Sequence, residues 1–271
     1  MMFNLAIGAG HGDRTAGKRI PVELDPNNTS EWWLNDRICD HVEKILAEYD
    51  GVNILRLDDS DDGYENVPLL TRVTQANQMP ADFYLSIHHN AAGKIFNGGG
   101  IVIYRDPNDN SRETVSWQEE IYEELIAYTG LRGNRSNPMA EANLYEVTKP
   151  NMPAILCELG FMDSTKDSQI ILTDWYPFAC ATALCNVIIR KAGLTKKECE
   201  EELTQEQFNS MMDVYLAERA KAQPAAWSAE AREWAESIGL IKGDENGNKM
   251  YNAWVTREQL MQFLYRTENE I

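Results

Sequence analysis

Three short apolar runs in the first two thirds of the chain each stop at a residue with reactive chemistry. Phe3-Asn4-Leu5-Ala6-Ile7-Gly8-Ala9 predicts a buried strand, and Gly10-His11-Gly12 follows at once. Phe83-Tyr84-Leu85-Ser86-Ile87 predicts a second strand with His88 at its exit, and Ala154-Ile155-Leu156-Cys157 a third that delivers Glu158. Between the first two the period changes. Leu34, Ile38, Ile45 and Leu46 recur at helical spacing behind Ser30, a suitable N-cap, which puts Glu31 in the first turn. Ile101 to Tyr104 reads as another strand, and Trp175 to Ala192 as a long helix stopped by Gly193. Strands alternating with helices predict an α/β fold over residues 1–193, a mixed, mostly parallel twisted sheet flanked by helices.

Beyond Gly193 the pattern weakens. Residues 194–202 are charged and poor in apolar groups, which predicts a linker, and residues 203–271 read as a small α-helical domain. That domain opens and closes on an imperfect repeat, Leu203-Thr204-Gln205-Glu206-Gln207-Phe208 against Val255-Thr256-Arg257-Glu258-Gln259-Leu260. In each copy a threonine precedes a glutamine by three residues, the spacing of a capping box. Between the copies, Ala231, Trp234, Ala235, Ile238 and Leu240 predict one more helix ending near Gly239, and Asp244-Glu245-Asn246-Gly247 a turn.

Charge narrows the choice of partner. The formal net charge of -18 and pI of about 4.6 argue against nucleic acid, because binding phosphate backbones needs clustered Lys and Arg. They argue equally against simple attraction to an anionic wall, so recognition of such a surface calls for a shaped site. No apolar stretch reaches membrane-spanning length, which predicts no membrane insertion. The first strand is too short and too weakly flanked for a signal peptide, so the expectation is synthesis in the cytoplasm without one. The five cysteines form no CxxC pair and are expected to be reduced thiols.

The three strand ends carry the candidate chemistry. Open α/β sheets bind ligands beyond the carboxyl ends of their parallel strands, so side chains distant in sequence can converge there. His11, Glu31 and His88 supply two imidazoles and a carboxylate, a recurrent catalytic zinc set that leaves a fourth position for water. Amide hydrolysis also needs a carboxylate outside the ligand set to take a proton from that water and return it to the leaving nitrogen, and Glu158 is the candidate. Of the other histidines, His41 falls within the first helix, and His89 faces away from His88 if the strand continues. Asn90 is a candidate for orienting His88 or a substrate amide, with a turn as the plainer role. Cys157 projects from the opposite strand face to Glu158 and is read as core. The Asn97-Gly98-Gly99-Gly100 stretch precedes a strand, so a flexible loop at the cleft is the better reading than a phosphate cradle.

Gly10-His11-Gly12, Ser30-Glu31-Trp32, Ser86-Ile87-His88-His89-Asn90-Ala91 and Cys157-Glu158-Leu159-Gly160-Phe161-Met162, in this order, resemble the zinc-dependent N-acetylmuramoyl-L-alanine amidases of the type-3 family, which includes autolysins and phage endolysins. Arg72 with Ala76-Asn77 resembles that family's helix before the second histidine strand. The resemblance spans about residues 1 to 193. It implies one Zn2+ on His11, Glu31 and His88, Glu158 as acid/base, and peptidoglycan as substrate. Asp13-Arg14-Thr15-Ala16-Gly17 follows the family's glycine-rich continuation only loosely. Trp227, Trp234-Ala235, Gly239-Leu240-Ile241-Lys242-Gly243-Asp244 and Val255-Thr256-Arg257-Glu258-Gln259 resemble an S-layer homology module. That second resemblance implies binding of a secondary cell-wall polysaccharide, with Arg257 and Trp227 as contacts. Fewer than two full repeats are present, so binding either calls for self-association into a homodimer or is lost, the alternative being a small helical accessory domain whose tryptophans are only core. A wall hydrolase made without a signal peptide suits a phage or prophage endolysin that acts on the wall after the membrane is breached, with a signal-less bacterial autolysin as the alternative. A zinc peptidase of the stem or cross-bridge peptide, and a non-catalytic wall-binding protein, are the rival readings.

Overall fold

The computed structural model describes residues 2–58, 65–134, 136–197, 204–244 and 246–269. The chain divides into two compact units, Met1–Lys197 and Glu198–Ile271. In the first unit a six-stranded sheet has the order β3-β1-β4-β7-β5-β6. The strands are β1 (Phe3–Ala9), β3 (Val52–Arg56), β4 (Phe83–Asn90), β5 (Ile101–Arg105), β6 (Met139–Glu141) and β7 (Ala154–Phe161), and a short β2 (Tyr49–Asp50) lies outside the sheet. All pairings are parallel except β5 with β7. Both faces are covered, which is why the central strands read as nearly continuous apolar runs rather than as alternation.

Helices α1 (Glu31–Leu46), α3 (Arg112–Thr129) and α6 (Trp175–Ala192) pack over one face. There Leu34, Ile38 and Val42 meet Leu5, Ile7, Leu85, Ile87 and the buried side of α6, and Trp117 stacks on Phe83 with ring centroids 3.9 Å apart. The other face holds a smaller core in which Val73 and Ala76 of α2 (Leu69–Gln78) meet Leu57, Tyr84 and Ala154. The short α4 (Tyr145–Thr148) and α5 (Asp167–Ile171) flank β7. Gly193 ends α6 with φ +62°, a left-handed cap that a residue with a Cβ adopts only at a cost.

The strands differ from their sequence-based limits. β4 continues through His88 to Asn90, and β7 through Glu158 to Phe161, because the two pair beyond the expected exits. His88 and Glu158 are opposite each other in that register, and the pairing slips between His88 and Asn90. Both functional side chains therefore stand on hydrogen-bonded backbone just inside the sheet's end. The segment expected as a linker also begins differently: Thr195–Lys196 forms β8, antiparallel to Tyr49–Asp50. Cys199, Leu203 and Glu245 fall outside the described residues. The four described cysteines are free and buried.

The second unit contains α7 (Gln205–Ala220), α8 (Ala229–Ser237) and α9 (Arg257–Asn269). Both expected capping boxes form: Thr204 accepts from the Gln207 amide at 3.1 Å, and Thr256 from that of Gln259 at 3.1 Å, while each glutamine oxygen accepts from its threonine's own N–H. Asp244 closes the turn by accepting from the amides of Asn246 and Asn248. No described helix is long and apolar enough to cross a membrane.

Candidate metal centre

Four elements bring the site together. The chain leaves β1 through Gly10, and His11 takes φ +69°, a left-handed conformation costing a residue with a Cβ on the order of 1–2 kcal/mol. Arg72 on α2, fully buried, stabilises this exit: its guanidinium donates to the carbonyls of His11 at 2.9 Å, Ala9 at 2.5 Å and Val67 at 2.9 Å. Ser30 caps α1 and aims Glu31 inward, where the carboxylate is 1% exposed. His88 comes from β4, its ring filling the space that Gly10 leaves without a side chain; a Cβ there would lie 2.1 Å from His88 Cε1.

His11, Glu31 and His88 offer ligand atoms that all lie within 4.8 Å of one another. Glu31 is the hub, with Oε2 3.4 Å from His11 Nε2 and Oε1 3.1 Å from His88 Nδ1. The two contacts use different carboxylate oxygens; with one ligand atom from each residue the set lies within 4.8 Å, against about 3.3 Å between ligands bonded at 2.0–2.1 Å to a tetrahedral ion, so a bound ion would draw the three together. Unfulfilled valences point the same way, since Glu31 Oε2 and Glu158 Oε2 are buried without a hydrogen bond. Burial works against the Glu31 charge, yet His11 and His88 hold its carboxyl far below the usual carboxylate range.

Glu158 lines the same cleft, of about 350 Å3, with His11, Lys18, His88, Leu144, Tyr145 and Glu146. Burial raises its pKa to about 7, the neighbouring Glu31 charge adding to the rise and His88 opposing it. A carboxyl poised near neutrality can both take and give a proton. His89 plays no part in the cluster: its Nδ1 donates to Asn35 Oδ1 at 2.7 Å, and burial lowers its pKa to about 4, keeping it neutral. Asn90 turns its side-chain oxygen to the Ala91 amide at 2.8 Å, the local turn role, and is not among the cleft's lining residues. Cys157 is fully buried, and burial drives its thiol pKa up, away from reactive thiolate. In the second unit, Arg257 opens α9 and Trp227 lies 88% exposed in the turn Ala226–Ser228.

Two charged residues at the cleft escaped the sequence reading. Lys18 places Nζ 3.5 Å from Glu31 Oε2 out of an irregular loop, where no periodicity marks it. Glu146 lies on a one-turn helix, with Oε2 3.5 Å from His88 Nε2. Its position just before the β7 run was the available signal.

The fold and the cleft define an α/β protein with a His-Glu-His cluster, buried at Glu31 and His88 and open to the cleft at His11, beside a further carboxylate, the equipment of a hydrolase. The family model described as N-acetylmuramoyl-L-alanine amidase matches residues 5–190, and the chain belongs to that family. It is 31% identical over 244 residues to the sporulation-specific N-acetylmuramoyl-L-alanine amidase of Bacillus subtilis, covering 89% of this chain and 86% of the relative. It is 25% identical over 259 residues to the endolysin of Bacillus phage SPP1, covering 90% of each. Among solved structures, the catalytic domain of CwlV, an N-acetylmuramoyl-L-alanine amidase from Bacillus (Paenibacillus) polymyxa var. colistinus, superposes with TM-score 0.61 at 22% identity, over 72% of this chain and 100% of that one. An amidase from Clostridium difficile 630 gives 0.62 at 22%, over 71% and 97%. These structural likenesses establish the fold, and family membership establishes the activity as that of an amidase with peptidoglycan as its implied substrate.

Proposed function

We propose that this amidase uses one zinc ion, held by His11, Glu31 and His88, with Glu158 as the acid/base, to cut the amide between the lactyl group of N-acetylmuramic acid and L-alanine. The observation that carries the reading is three ligand atoms within 4.8 Å of one another beside a cleft that also contains Glu158. Zinc bound there would supply an acidified water and a polarised amide carbonyl. Glu158 takes the proton of the attacking water and passes it to the departing alanine nitrogen, from its place in the cleft beside His11 and His88. Leu69, Leu144, Tyr145 and Leu156 give the cleft apolar walls, which strengthen the polar interactions within.

Mass spectrometry of muropeptides released from bacterial walls tests the bond: free lactyl groups and new N-terminal L-alanine are expected, whereas cuts within the stem or cross-bridge would favour the peptidase reading. Glu158→Ala should retain zinc and lose nearly all turnover, and His11→Ala should lose the metal. Zinc-free protein that clears walls at full rate would overturn the metal assignment.

Resemblance to an endolysin supports action on the wall of a host bacterium once its membrane is breached. In the second unit, Arg257 offers a planar guanidinium suited to an anionic sugar substituent and Trp227 an open ring, which supports docking on a secondary cell-wall polysaccharide. Phe208, Met211 and Tyr215 on α7, and Leu260, Leu264 and Tyr265 on α9, are exposed apolar residues at helical spacing, which supports homodimerisation through this unit. Co-sedimentation of the full chain with purified walls tests the docking. Arg257→Ala with Trp227→Ala should reduce retention at unchanged catalytic rate on soluble fragments, and unchanged retention would reject these contacts.

A further inference from the structure

The cleft contains a carboxylate for which the reaction has no use. Glu146 is 4% exposed, accepts a hydrogen bond from the Tyr84 hydroxyl at 2.8 Å through Oε1, and turns Oε2 to within 3.5 Å of His88 Nε2. The opposite nitrogen of that ring, Nδ1, is the one at 3.1 Å from Glu31. Glu31 belongs to the proposed ligand set, so the nitrogen that faces it, Nδ1, is the ligating atom of His88. A neutral imidazole bound through Nδ1 has its single proton on Nε2. That atom is buried without a hydrogen-bond partner, and the Glu146 carboxylate stands in front of it.

We propose that Glu146 is a positioning residue for the metal centre: it accepts a hydrogen bond from the Nε2–H of His88, fixes the ring's tautomer and orientation, and is itself held by Tyr84. Carboxylates behind metal-binding histidines act in this way, raising ligand basicity as well as orienting the ring. The 3.5 Å gap is longer than a strong hydrogen bond, and closing it in the loaded site calls for the Glu146 carboxylate to approach the ring. The arrangement also places the positioning residue on the cleft wall, because Glu146 shares α4 with Tyr145 and follows Leu144. The inference rests on the ligand set proposed above, and the test separates the two.

Zinc affinity is measured by chelator competition for the wild type, Glu146→Ala, Glu146→Gln, Tyr84→Phe and His11→Ala, together with NMR of 15N-histidine-labelled, zinc-loaded protein. Glu146→Ala should weaken zinc binding by roughly 10- to 100-fold and abolish the downfield Nε2–H resonance of His88. Glu146→Gln, which keeps an acceptor oxygen, should recover most of the affinity and the resonance, and Tyr84→Phe should weaken binding less than Glu146→Ala. Zinc affinity of Glu146→Ala within about twofold of wild type, by the same standard, would overturn the proposal. So would loss as complete as in His11→Ala, which would make Glu146 a direct ligand. If Glu146→Ala does not fold, Glu146→Met, similar in length but without an acceptor oxygen, takes its place: an unchanged His88 resonance with zinc affinity within about twofold of wild type has the same force. Full zinc binding by His11→Ala would instead reject the ligand set itself.

Discussion

Replacing Gly10 by alanine adds one methyl at the point where the chain leaves β1 for His11. An ideal Cβ there falls 2.1 Å from His88 Cε1, 2.4 Å from Nδ1 and 2.5 Å from Nε2, where ordinary contacts begin at 3.4 Å. All three atoms belong to one planar, buried ring, so the imidazole as a whole has to swing or retreat by roughly 1 Å. Metal–ligand distances tolerate only about ±0.2 Å, so a retreat of that size removes His88 from the ligand set. The backbone adds nothing to the penalty, since Gly10 lacks the positive φ found at Gly17 or Gly130. The methyl should cost about 1–3 kcal/mol in stability through overpacking, with a much larger proportional loss of zinc binding. Melting of the metal-free protein and zinc competition against a chelator measure the two effects separately. A Gly10→Ala protein that binds zinc within threefold of wild type and clears walls normally would refute the steric argument and the close approach behind it.

Other expectations follow from the same cleft and its supports. Glu158 must be ionised to accept a proton, so kcat/KM should fall as pH drops through its pKa; a bound dication lowers that pKa from about 7, so the acid limb should lie below pH 7, and a limb unchanged in Glu158→Gln would reject the role. Arg72→Met leaves the carbonyls of Val67, Ala9 and His11 without their donor, and should cost at least about 3 kcal/mol and weaken zinc binding, because His11 is released from its left-handed conformation. Unaltered thermal unfolding of that variant would count against the support. On the far side of the unit, burial disfavours the Glu120 charge, but Lys191, Ser116 and Arg190 pull its pKa down to about 2. A carboxylate depressed on folding contributes stability above its unfolded pKa near 4.5 and loses it as pH falls toward 2. Glu120→Gln should therefore cost about 1 kcal/mol at pH 7 and nothing near pH 2, as read by denaturant titration at both pH values; a cost that persists at pH 2 would refute the linkage.

The linear pattern was enough for the α/β class and for marking His11, Glu31, His88 and Glu158 as candidates, which the fold brings together. Local rules carry that information: an apolar run of strand length, a glycine beside a histidine, and a serine that caps a helix and commits Glu31 to its first turn. Each is decided within a few residues by sterics and backbone hydrogen bonding, so tertiary context had only to bring them together. Periodicity also places the capping boxes of α7 and α9, whose threonine and glutamine exchange hydrogen bonds across three positions.

Tertiary structure decided what depends on pairing between distant segments. β4 and β7 extend past their apolar runs because each supplies the other's backbone partners around His88 and Glu158, and a separate long-range pairing draws Thr195–Lys196 into register with Tyr49–Asp50. Arg72 looks in sequence like a charge on a helix, but folding buries it against three carbonyls from two other segments. Glu146 shows no periodic signal in a four-residue helix, and its closeness to His88 exists only once α4 lies along the sheet. The pKa of Glu158 has the same origin, because desolvation belongs to the closed cleft and to no segment of the chain.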